Sequence, residues 1–225
     1  MSRTNPKAII IFARNPVPGE VKTRLQSKWD ADTVCRIYEA FLEDARLQLM
    51  ELENVDCFVS IHSSQGADYF DRFKSCGFNV VEQEGVDLGQ RMHQAFAKRF
   101  SEGYENVVII GSDSPTLPIE YLRTALESRS DLVLGPSTDG GYYLIGMSGN
   151  VTDVFEGVDW GTDRVLFSTL EKVKECGASL TLLPPWYDVD TPQDLLFLET
   201  HLGLMEHAGL KGGKTTKSVI EKLNL

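Results

Sequence analysis

Cysteine and histidine are scarce in this sequence, and neither is arranged for cross-linking or metal binding. The 225-residue chain has four cysteines and four histidines, with no Cys-x-x-Cys pair and no recurring spacing. Disulfide-rich secreted domains and structural zinc sites need such clusters, so both classes are excluded. The sequence predicts reduced, mostly buried thiols in a cytoplasmic protein, at Cys35, Cys57, Cys76 and Cys176.

Positive charge and long hydrophobic runs are also in short supply. The chain has 22 Lys and Arg against 33 Asp and Glu, a formal net charge of −11. A simple nucleic-acid binder needs a cationic surface, so we expect no nucleic-acid partner. No apolar run approaches the roughly 20 residues of a membrane span. The apolar run near the start of the sequence is too short for a signal peptide, and charged residues flank it. We therefore expect a cytoplasmic protein without a membrane span.

The chain does have short apolar runs that alternate with helical patterns. Hydrophobic residues make up 42% of the sequence, an ordinary globular composition. Residues 7–14 form a near-continuous apolar run, typical of a parallel strand buried on both faces. The alternation predicts an α/β three-layer sandwich with a mainly parallel sheet. Residues 142–147 follow the strand 132–135 too closely for a helical crossover, so the sheet is expected to be mixed.

No internal repeat or linker divides the sequence. We predict one domain over residues 1–207 and a basic C-terminal tail over residues 208–225. Four lysines surround two adjacent glycines in this tail. The composition favours a solvated, flexible segment ahead of a short terminal helix.

The loop after the first predicted strand concentrates positive charge in an acidic protein. Its prolines stiffen the backbone, Gly19 permits a tight turn, and Arg14, Lys22 and Arg24 supply three cations. Such a loop is suited to holding phosphates at the carboxyl end of a parallel strand. A solvated surface loop is the alternative interpretation. Neither the P-loop spacing nor Gly-x-Gly-x-x-Gly occurs in it, which disfavours P-loop NTPases and dinucleotide enzymes.

Two acidic sites also follow predicted strands. Asp113 comes directly after the apolar run 107–111, and Asp188 and Asp190 follow the run 180–183. In an extended segment, the spacing of the last two points both carboxylates to one side. Carboxylates about 4 Å apart repel by about 4 kcal/mol at an effective dielectric constant near 20, and Mg²⁺ or Mn²⁺ would relieve this repulsion. Helix capping is the alternative role for Asp113 and Asp190.

Two further segments contain candidates for binding an acceptor. Asp139 precedes Gly140 and Gly141, whose bare backbone would permit close approach of a ligand, although Asp-Gly is equally a hairpin signal. Asp159 precedes Trp160, a ring that can stack on an acceptor or pack in the core. Asp139 and Asp159 are the candidate catalytic residues, to orient or deprotonate an acceptor hydroxyl.

One segment between a predicted strand and a predicted helix contains candidates for binding the nucleotide. Gln83, Gly89 and Arg91 lie between residues 79–82 and the body of the helix 88–100. Polar groups at this place can contact a nucleobase or a phosphate. An ordinary helix start is the alternative interpretation.

Four segments together resemble a known family. Residues 11–25, Gly111-Ser112-Asp113-Ser114-Pro115, Asp139-Gly140-Gly141-Tyr142-Tyr143 and Asp188-Val189-Asp190-Thr191-Pro192 are similar, in this order, to motifs of a bacterial glycosyltransferase-like family. That family has the GT-A nucleotide-diphospho-sugar transferase fold, and some members are linked to arsenosugar biosynthesis. The resemblance covers about residues 7–200.

The resemblance implies a nucleotide site built from the first loop. It places Asp113 where these transferases have their metal-binding Asp, and it gives Asp188 or Asp190 the role of an Mg²⁺-binding Asp in sugar nucleotidyltransferases. The chain departs from the latter at Ala13-Arg14-Asn15-Pro16, where they have a glycine-rich opening. It also has Ser-Asp-Ser where many GT-A enzymes have Asp-x-Asp.

From these observations we expect a transferase that uses a nucleotide-diphospho-sugar donor. It would transfer a glycosyl group to a small-molecule acceptor, with Mg²⁺ or Mn²⁺ on the leaving diphosphate. Nucleotidyl transfer from an NTP to a sugar phosphate or phosphorylated acid, with release of pyrophosphate, is the first alternative. A non-catalytic module that binds nucleotide sugars is the second.

Overall fold

A seven-stranded sheet forms the centre of the molecule. The computed structural model describes residues 5–62 and 67–223. The strands run in the order β3-β2-β1-β4-β6-β5-β7. Their bounds are β1 Lys7–Arg14, β2 Val55–His62, β3 Asn79–Glu82, β4 Asn106–Ile110, β5 Leu132–Pro136, β6 Tyr142–Ser148 and β7 Leu180–Leu182.

The sheet is mixed and mainly parallel, as predicted. β1 pairs in parallel with β2 and β4, β2 pairs in parallel with β3, and β5 pairs in parallel with β7. β6 runs antiparallel to both of its neighbours, β4 and β5. The short connection from β5 to β6 explains this exception, because it can form a hairpin and cannot hold a crossover helix.

The described part of the chain has seven α-helices, of which the first five lie between strands and the last two follow β7. They are α1 Ala31–Leu49, α2 Asp71–Lys74, α3 Leu88–Ser101, α4 Ile119–Glu127, α5 Val165–Cys176, α6 Pro192–His207 and α7 Lys214–Ile220. Short 3₁₀ helices span Thr23–Ser27, Ala67–Phe70 and Glu221–Leu223. Within residues 5–62 and 67–223, no helix has both the length and the hydropathy needed to cross a bilayer.

Apolar side chains on both faces of the sheet create two cores. In β1, Ala8 and Ile10 belong to one buried cluster, whereas Ile9 and Ile11 belong to the other. This alternation follows from the two-residue period of a strand. Because residues 8–11 are buried in clusters on opposite faces of the sheet, the prediction of a strand buried on both faces is confirmed.

Helices cover both cores and complete the three layers. On one side, α1, α4 and α6 contribute Leu42, Leu122 and Leu198 to the larger cluster. On the other side, α3 and α5 contribute Phe96 and Val173 to the smaller one. Each helix buries one apolar face and leaves the other to solvent, which confirms the predicted α/β three-layer sandwich.

Two helix starts show how far capping residues can be read from the sequence. The Thr-Pro-Gln-Asp pattern at Thr191 is typical of a helix start, and α6 begins there with a capping box between Thr191 and Asp194 and with Pro192 in the first turn. Thr162 is likewise a residue type that favours a helix cap, but it does not cap α5, which begins only at Val165. The hydroxyl of Thr162 instead donates to the carbonyl three residues earlier and closes a turn.

The C-terminal tail contains a packed helix rather than only a solvated segment. α7 lies against α1, and its Thr216 and Ile220 are buried. The carboxylate of Asp44, itself buried in α1, accepts hydrogen bonds from the backbone N–H groups of Thr215 and Thr216. The lysines and glycines of the tail predicted a solvated segment. The structure differs because the apolar face of this short helix packs against α1.

Candidate functional site

The cations of the first loop and two of the predicted acids lie in one cavity of about 450 Å³. The cavity is at the carboxyl ends of β1, β2 and β4, where ligands bind in open α/β sheets. Its charged and polar lining residues include Arg14, Lys22, Arg24, Tyr38, His62, Gln83, Arg91, Ser112, Asp113 and Asp190. Residues far apart in sequence thus form one polar site.

Lys22 makes the central contact of this cavity. Its ammonium nitrogen lies 2.8 Å from a carboxylate oxygen of Asp113 and 2.6 Å from one of Asp190. Its backbone is in the left-handed region, with φ of 46°, and it caps the 3₁₀ helix Thr23–Ser27. Arg24 lies 3.5 Å from Asp190 and remains 73% exposed. The cation that separates the two acids in this structure is therefore the ammonium of Lys22.

Burial and charge act in opposite directions on the groups of this cluster. The side chain of Lys22 is only 5% exposed. Burial by itself would lower its pKa, but Asp113 and Asp190 outweigh burial, so the pKa is raised above its ordinary value. Burial would raise the pKa of Asp190, but Lys22 and then Arg24 lower it below the usual range. Both partners of this pair thus remain charged near neutral pH.

Asp188 has different partners from Asp190, although the two are close in sequence. Its carboxylate accepts hydrogen bonds from the hydroxyls of Ser114 and Ser137. Burial raises its pKa to about 6, against the two hydroxyls, with a further contribution from Asp113. Asp188 therefore joins the loops that follow β4 and β5, while Asp190 meets the ammonium of Lys22.

Tyr38 supports the end of β1 from the buried face of α1. Its hydroxyl accepts a hydrogen bond from the backbone N–H of Arg14, at 2.9 Å, and lies 3.0 Å from the hydroxyl of Ser112. Burial raises its pKa to about 12, so the phenol is neutral. In the sequence, Tyr38 stands among the apolar residues that form the buried face of α1. Its hydroxyl, which reaches the cavity, had no signal in the sequence.

His62 is a cavity residue to which the sequence assigned no role. It is the last residue of β2. Burial lowers its pKa, and the positive charges of Arg91 and Arg14 lower it further. The rule that ligands gather at the carboxyl ends of parallel strands would have singled it out, because it directly follows the apolar run that forms β2.

Gln83 and Arg91 line the cavity, and the nucleotide contacts predicted for them stay predictions. The amide nitrogen of Gln83 donates to the carbonyl of Ser60 at 2.8 Å, which fixes the side chain beside β2. The guanidinium of Arg91 donates to the carbonyl of Gly85 at 3.1 Å. Gly19 does not line the cavity, and its φ of 87° instead bends the first loop.

The hairpin between β5 and β6 lies outside the cavity lining. Asp139 accepts a hydrogen bond from the N–H of Gly141 at 2.9 Å, which stabilises the turn. Gly140 has a φ of 93°, and a Cβ there would stand 2.2 Å from the carbonyl oxygen of Asp163. The two glycines are thus explained by the hairpin and by its packing against residues 159–165. A ligand contact at Asp139, Gly140 or Gly141 stays a prediction.

Trp160 lies with Gly89 at a second cavity of about 460 Å³, on the α3 side of the sheet. A Cβ at Gly89 would stand 2.6 Å from the indole nitrogen, so the ring packs directly on the start of α3. Asp159 is exposed and lines neither of these two cavities. The structure therefore does not bring Asp159 and Trp160 to Lys22, and their roles toward an acceptor stay predictions.

The residues present suit a divalent cation only together with phosphate. In the described part of the chain, no three His, Cys, Asp or Glu side chains converge as a metal site. Asp113 and Asp190 are two oxygen donors, 38% and 35% exposed, and they share one cation already. Mg²⁺ is commonly bound by one or two carboxylates and by substrate phosphates, which matches this pair if Lys22 moves away from it.

Solved structures show where this architecture recurs. The structure of a protein from Desulfovibrio desulfuricans G20, provisionally named a nucleotide-diphospho-sugar transferase, is 33% identical with a TM-score of 0.87 and covers 98% of this chain and 96% of its own. The inositol-1-phosphate CTP transferase from T. maritima is 19% identical, with a TM-score of 0.51 over 86% of this chain and 93% of its own. A 4-diphosphocytidyl-2C-methyl-D-erythritol synthase is 14% identical, with a TM-score of 0.56 over 89% of this chain and 100% of its own.

The last two structures share the fold alone. No protein with a curated description matches the sequence. Residues 45–162, just over half of the chain, match the family described as "Uncharacterized protein conserved in bacteria (DUF2064)". The resemblance read from the motifs is thereby confirmed at the level of fold and family. The chain belongs to this bacterial family, DUF2064, and has the nucleotide-diphospho-sugar transferase fold.

Proposed function

We propose that the protein is a glycosyltransferase that takes its donor from a nucleotide-diphospho-sugar. One observation carries the proposal: Lys22, Asp113 and Asp190 meet in a cavity at the carboxyl ends of β1 and β4. In a chain of net charge −11, a cavity that also contains three arginines is suited to a polyanionic ligand.

The first-loop cations are assigned to the diphosphate of the donor. Arg14, Lys22 and Arg24 would neutralise its charge, and Lys22 can exchange a carboxylate for a phosphate oxygen without leaving the cavity. Asp113 and Asp190 would hold Mg²⁺ or Mn²⁺ together with phosphate oxygens. A bound metal would supply stabilisation of the negative charge that develops on the leaving diphosphate.

An acceptor is assigned to the side of the cavity that faces the β5–β6 hairpin. Asp139 is the first candidate to orient or deprotonate its hydroxyl, because its charge contributes to the raised pKa of Asp188 and its hairpin follows β5, whose next residue, Ser137, donates to Asp188. Asp159 is the second candidate, with Trp160 beside it as a stacking surface.

Nucleotidyl transfer is the second candidate function. Four cations line the cavity, namely Arg14, Lys22, Arg24 and Arg91. This number suits the triphosphate of an NTP as well as a diphosphate, so the same cavity also fits a reaction that releases pyrophosphate. The released product separates the two reactions, because glycosyl transfer gives a nucleoside diphosphate.

A thermal-shift screen tests the proposal. Nucleotides and nucleotide sugars are added with and without Mg²⁺, and a ligand at 100 times its Kd should stabilise the native protein by about 2.7 kcal/mol. We expect a rise in Tm for at least one nucleotide-diphospho-sugar, and product analysis then identifies the reaction. If no nucleotide and no nucleotide sugar raises the Tm, both transferase functions are rejected. Binding without turnover over an acceptor panel would favour a non-catalytic module.

A further inference from the structure

Lys22 combines a fixed backbone with a side chain that is free to change partners. Its neighbours Val21 and Leu25 are buried in the larger core. Its carbonyl accepts a hydrogen bond from the N–H of Leu25 at 2.9 Å. The ammonium, in contrast, is held only at the end of a flexible four-carbon stem, by Asp113 and Asp190. A phosphate oxygen in the cavity can therefore recruit it by side-chain rotation alone.

While Lys22 contacts the carboxylates of Asp113 and Asp190, we expect them to bind a free divalent cation only weakly. The ammonium contacts both, at 2.8 and 2.6 Å, so it occupies the position between them. The nearest further acid along the chain, Asp188, accepts hydrogen bonds from Ser114 and Ser137. Because Mg²⁺ loses its hydration water reluctantly, two carboxylates that are already neutralised bind it weakly.

From this geometry we propose that Lys22 is a built-in counter-ion, which keeps Asp113 and Asp190 from binding a divalent cation until the phosphates of a ligand draw its ammonium away. The phosphate ligand in this statement rests on the proposed function. In this exchange the ammonium moves from the carboxylates to phosphate oxygens, and a divalent cation takes its place between Asp113 and Asp190. The nucleotide and the metal would consequently bind as a unit.

Direct binding of Mn²⁺ to the nucleotide-free, full-length protein tests this role. Free Mn²⁺ is measured by electron paramagnetic resonance, so the result does not depend on turnover. Lys22→Gln removes the ammonium and should tighten Mn²⁺ binding at least tenfold. Lys22→Met, similar in length and uncharged, should do the same and serves if the first variant folds poorly, as judged by circular dichroism.

Arg24→Gln is the matched control, because it removes the same charge from the same cluster. Arg24 meets Asp190 at only 3.5 Å and is 73% exposed, so this variant should tighten Mn²⁺ binding less than threefold. Adding Asp113→Asn to Lys22→Met should abolish most of the gain, because the metal then loses a carboxylate.

Two results would overturn the counter-ion role. One is that replacement of Lys22 changes the Mn²⁺ affinity no more than Arg24→Gln does. Such a result would mean that only the net charge of the protein matters. The other is a gain that survives Asp113→Asn, which would place the metal elsewhere. Neither result depends on nucleotide binding. If no nucleotide raises the Tm in the thermal-shift screen, the proposed function is rejected, but the Mn²⁺ measurement still tests the role of Lys22.

Discussion

Single residues in the cavity have properties that only partners from other strands explain. The side chain of Lys22 is only 5% exposed, yet it is charged because it contacts the carboxylates of Asp113 and Asp190. Asp113 follows β4, and Asp190 lies in the loop after β7. Asp188, two positions from Asp190, has its pKa raised rather than lowered because it is more deeply buried and meets hydroxyls instead of a cation. Two acids of one motif thus acquire opposite properties from their surroundings.

Asp113 is expected to be essential for turnover and of little importance for folding. Asp113→Asn should lower the transferase rate at least 100-fold, because the site loses a charge that holds cations at the leaving phosphates. Tm should fall by only a few degrees, since Asp113 is 38% exposed and Lys22 keeps Asp190 as partner. Steady-state assays and thermal unfolding measure both effects. Asp71→Asn, an exposed acid in α2, is the control and should change neither. Wild-type turnover in Asp113→Asn would reject this role.

Asp188 is expected to make stability fall as pH rises through its titration. Its pKa is about 6 in the folded protein and 3.8 in the reference state, so the native state binds more protons between these values. Its contribution to the free energy of unfolding therefore decreases from pH 3.8 to 6, by about 3 kcal/mol in all. Asp188→Asn has no such titration, so its stability relative to wild type should rise by about this amount between roughly pH 4 and pH 7.

Urea unfolding at the two pH values measures this difference. Asp131→Asn is the control with the opposite sign, because hydrogen bonds from Ser179 lower the pKa of Asp131. That variant should lose stability relative to wild type as pH rises toward about 4, and the difference should stay nearly constant between pH 4 and pH 7. A pH-independent difference between Asp188→Asn and wild type would contradict the assignment of a raised pKa.

At the scale of elements, the β5–β6 hairpin depends on a close approach of two backbones. Gly140 has a φ of 93° and lies against Asp163. The N–H of Leu166, in the first turn of α5, donates to the carbonyl of Gly140 at 2.8 Å. The hairpin and the start of α5 therefore support each other, and a side chain at position 140 cannot be accommodated.

Gly140→Ala is expected to destabilise the protein by about 2–4 kcal/mol. The new Cβ would stand 2.2 Å from the carbonyl oxygen of Asp163, in addition to the strain of a positive φ. Gly149→Ala separates these two effects, because Gly149 has a φ of 77° but no atom lies within 4 Å of the position that its Cβ would take. It should cost about 1 kcal/mol in urea unfolding. Equal losses in the two variants would show that the contact with Asp163 is unimportant.

At the scale of the whole molecule, the C-terminal segment completes the larger core. Ile220 is 1% exposed and belongs to the same cluster as the residues of α1. The carboxylate of Asp44 is 171 residues away in sequence from Thr215, and the two residues are hydrogen-bonded at 2.8 Å. α7 is thus packed into the same core as α1.

Removal of residues 208–225 is expected to lower the free energy of unfolding by about 3 kcal/mol or more. The loss combines the exposed apolar surface under Ile220 with two unsatisfied acceptors on the buried carboxylate of Asp44. Thermal unfolding of the shortened chain, beside Lys222→Ala as an exposed control, gives the comparison. An unchanged Tm after truncation would mean that α7 contributes nothing to the core.

The sequence by itself determined the strands, the α/β class and the two halves of the site. These features are local signals in the sequence. A strand buried on both faces leaves a continuous apolar run, such as residues 7–14, and the site residues Lys22, Asp113 and Asp190 directly follow such runs or lie in a short motif. Of the candidates in the segment after β3, Gln83 and Arg91 line the cavity, whereas Gly89 lies at the second cavity.

Only the tertiary structure decided which of these residues meet. The pairing of Lys22 with both acids, the different environment of Asp188, the phenol of Tyr38 at the end of β1 and the packing of α7 on α1 all depend on contacts between distant segments. A sequence pattern records the period and composition of one segment. Distances between segments follow from the strand order of the sheet, which brings the ends of β1, β2 and β4 together at one edge.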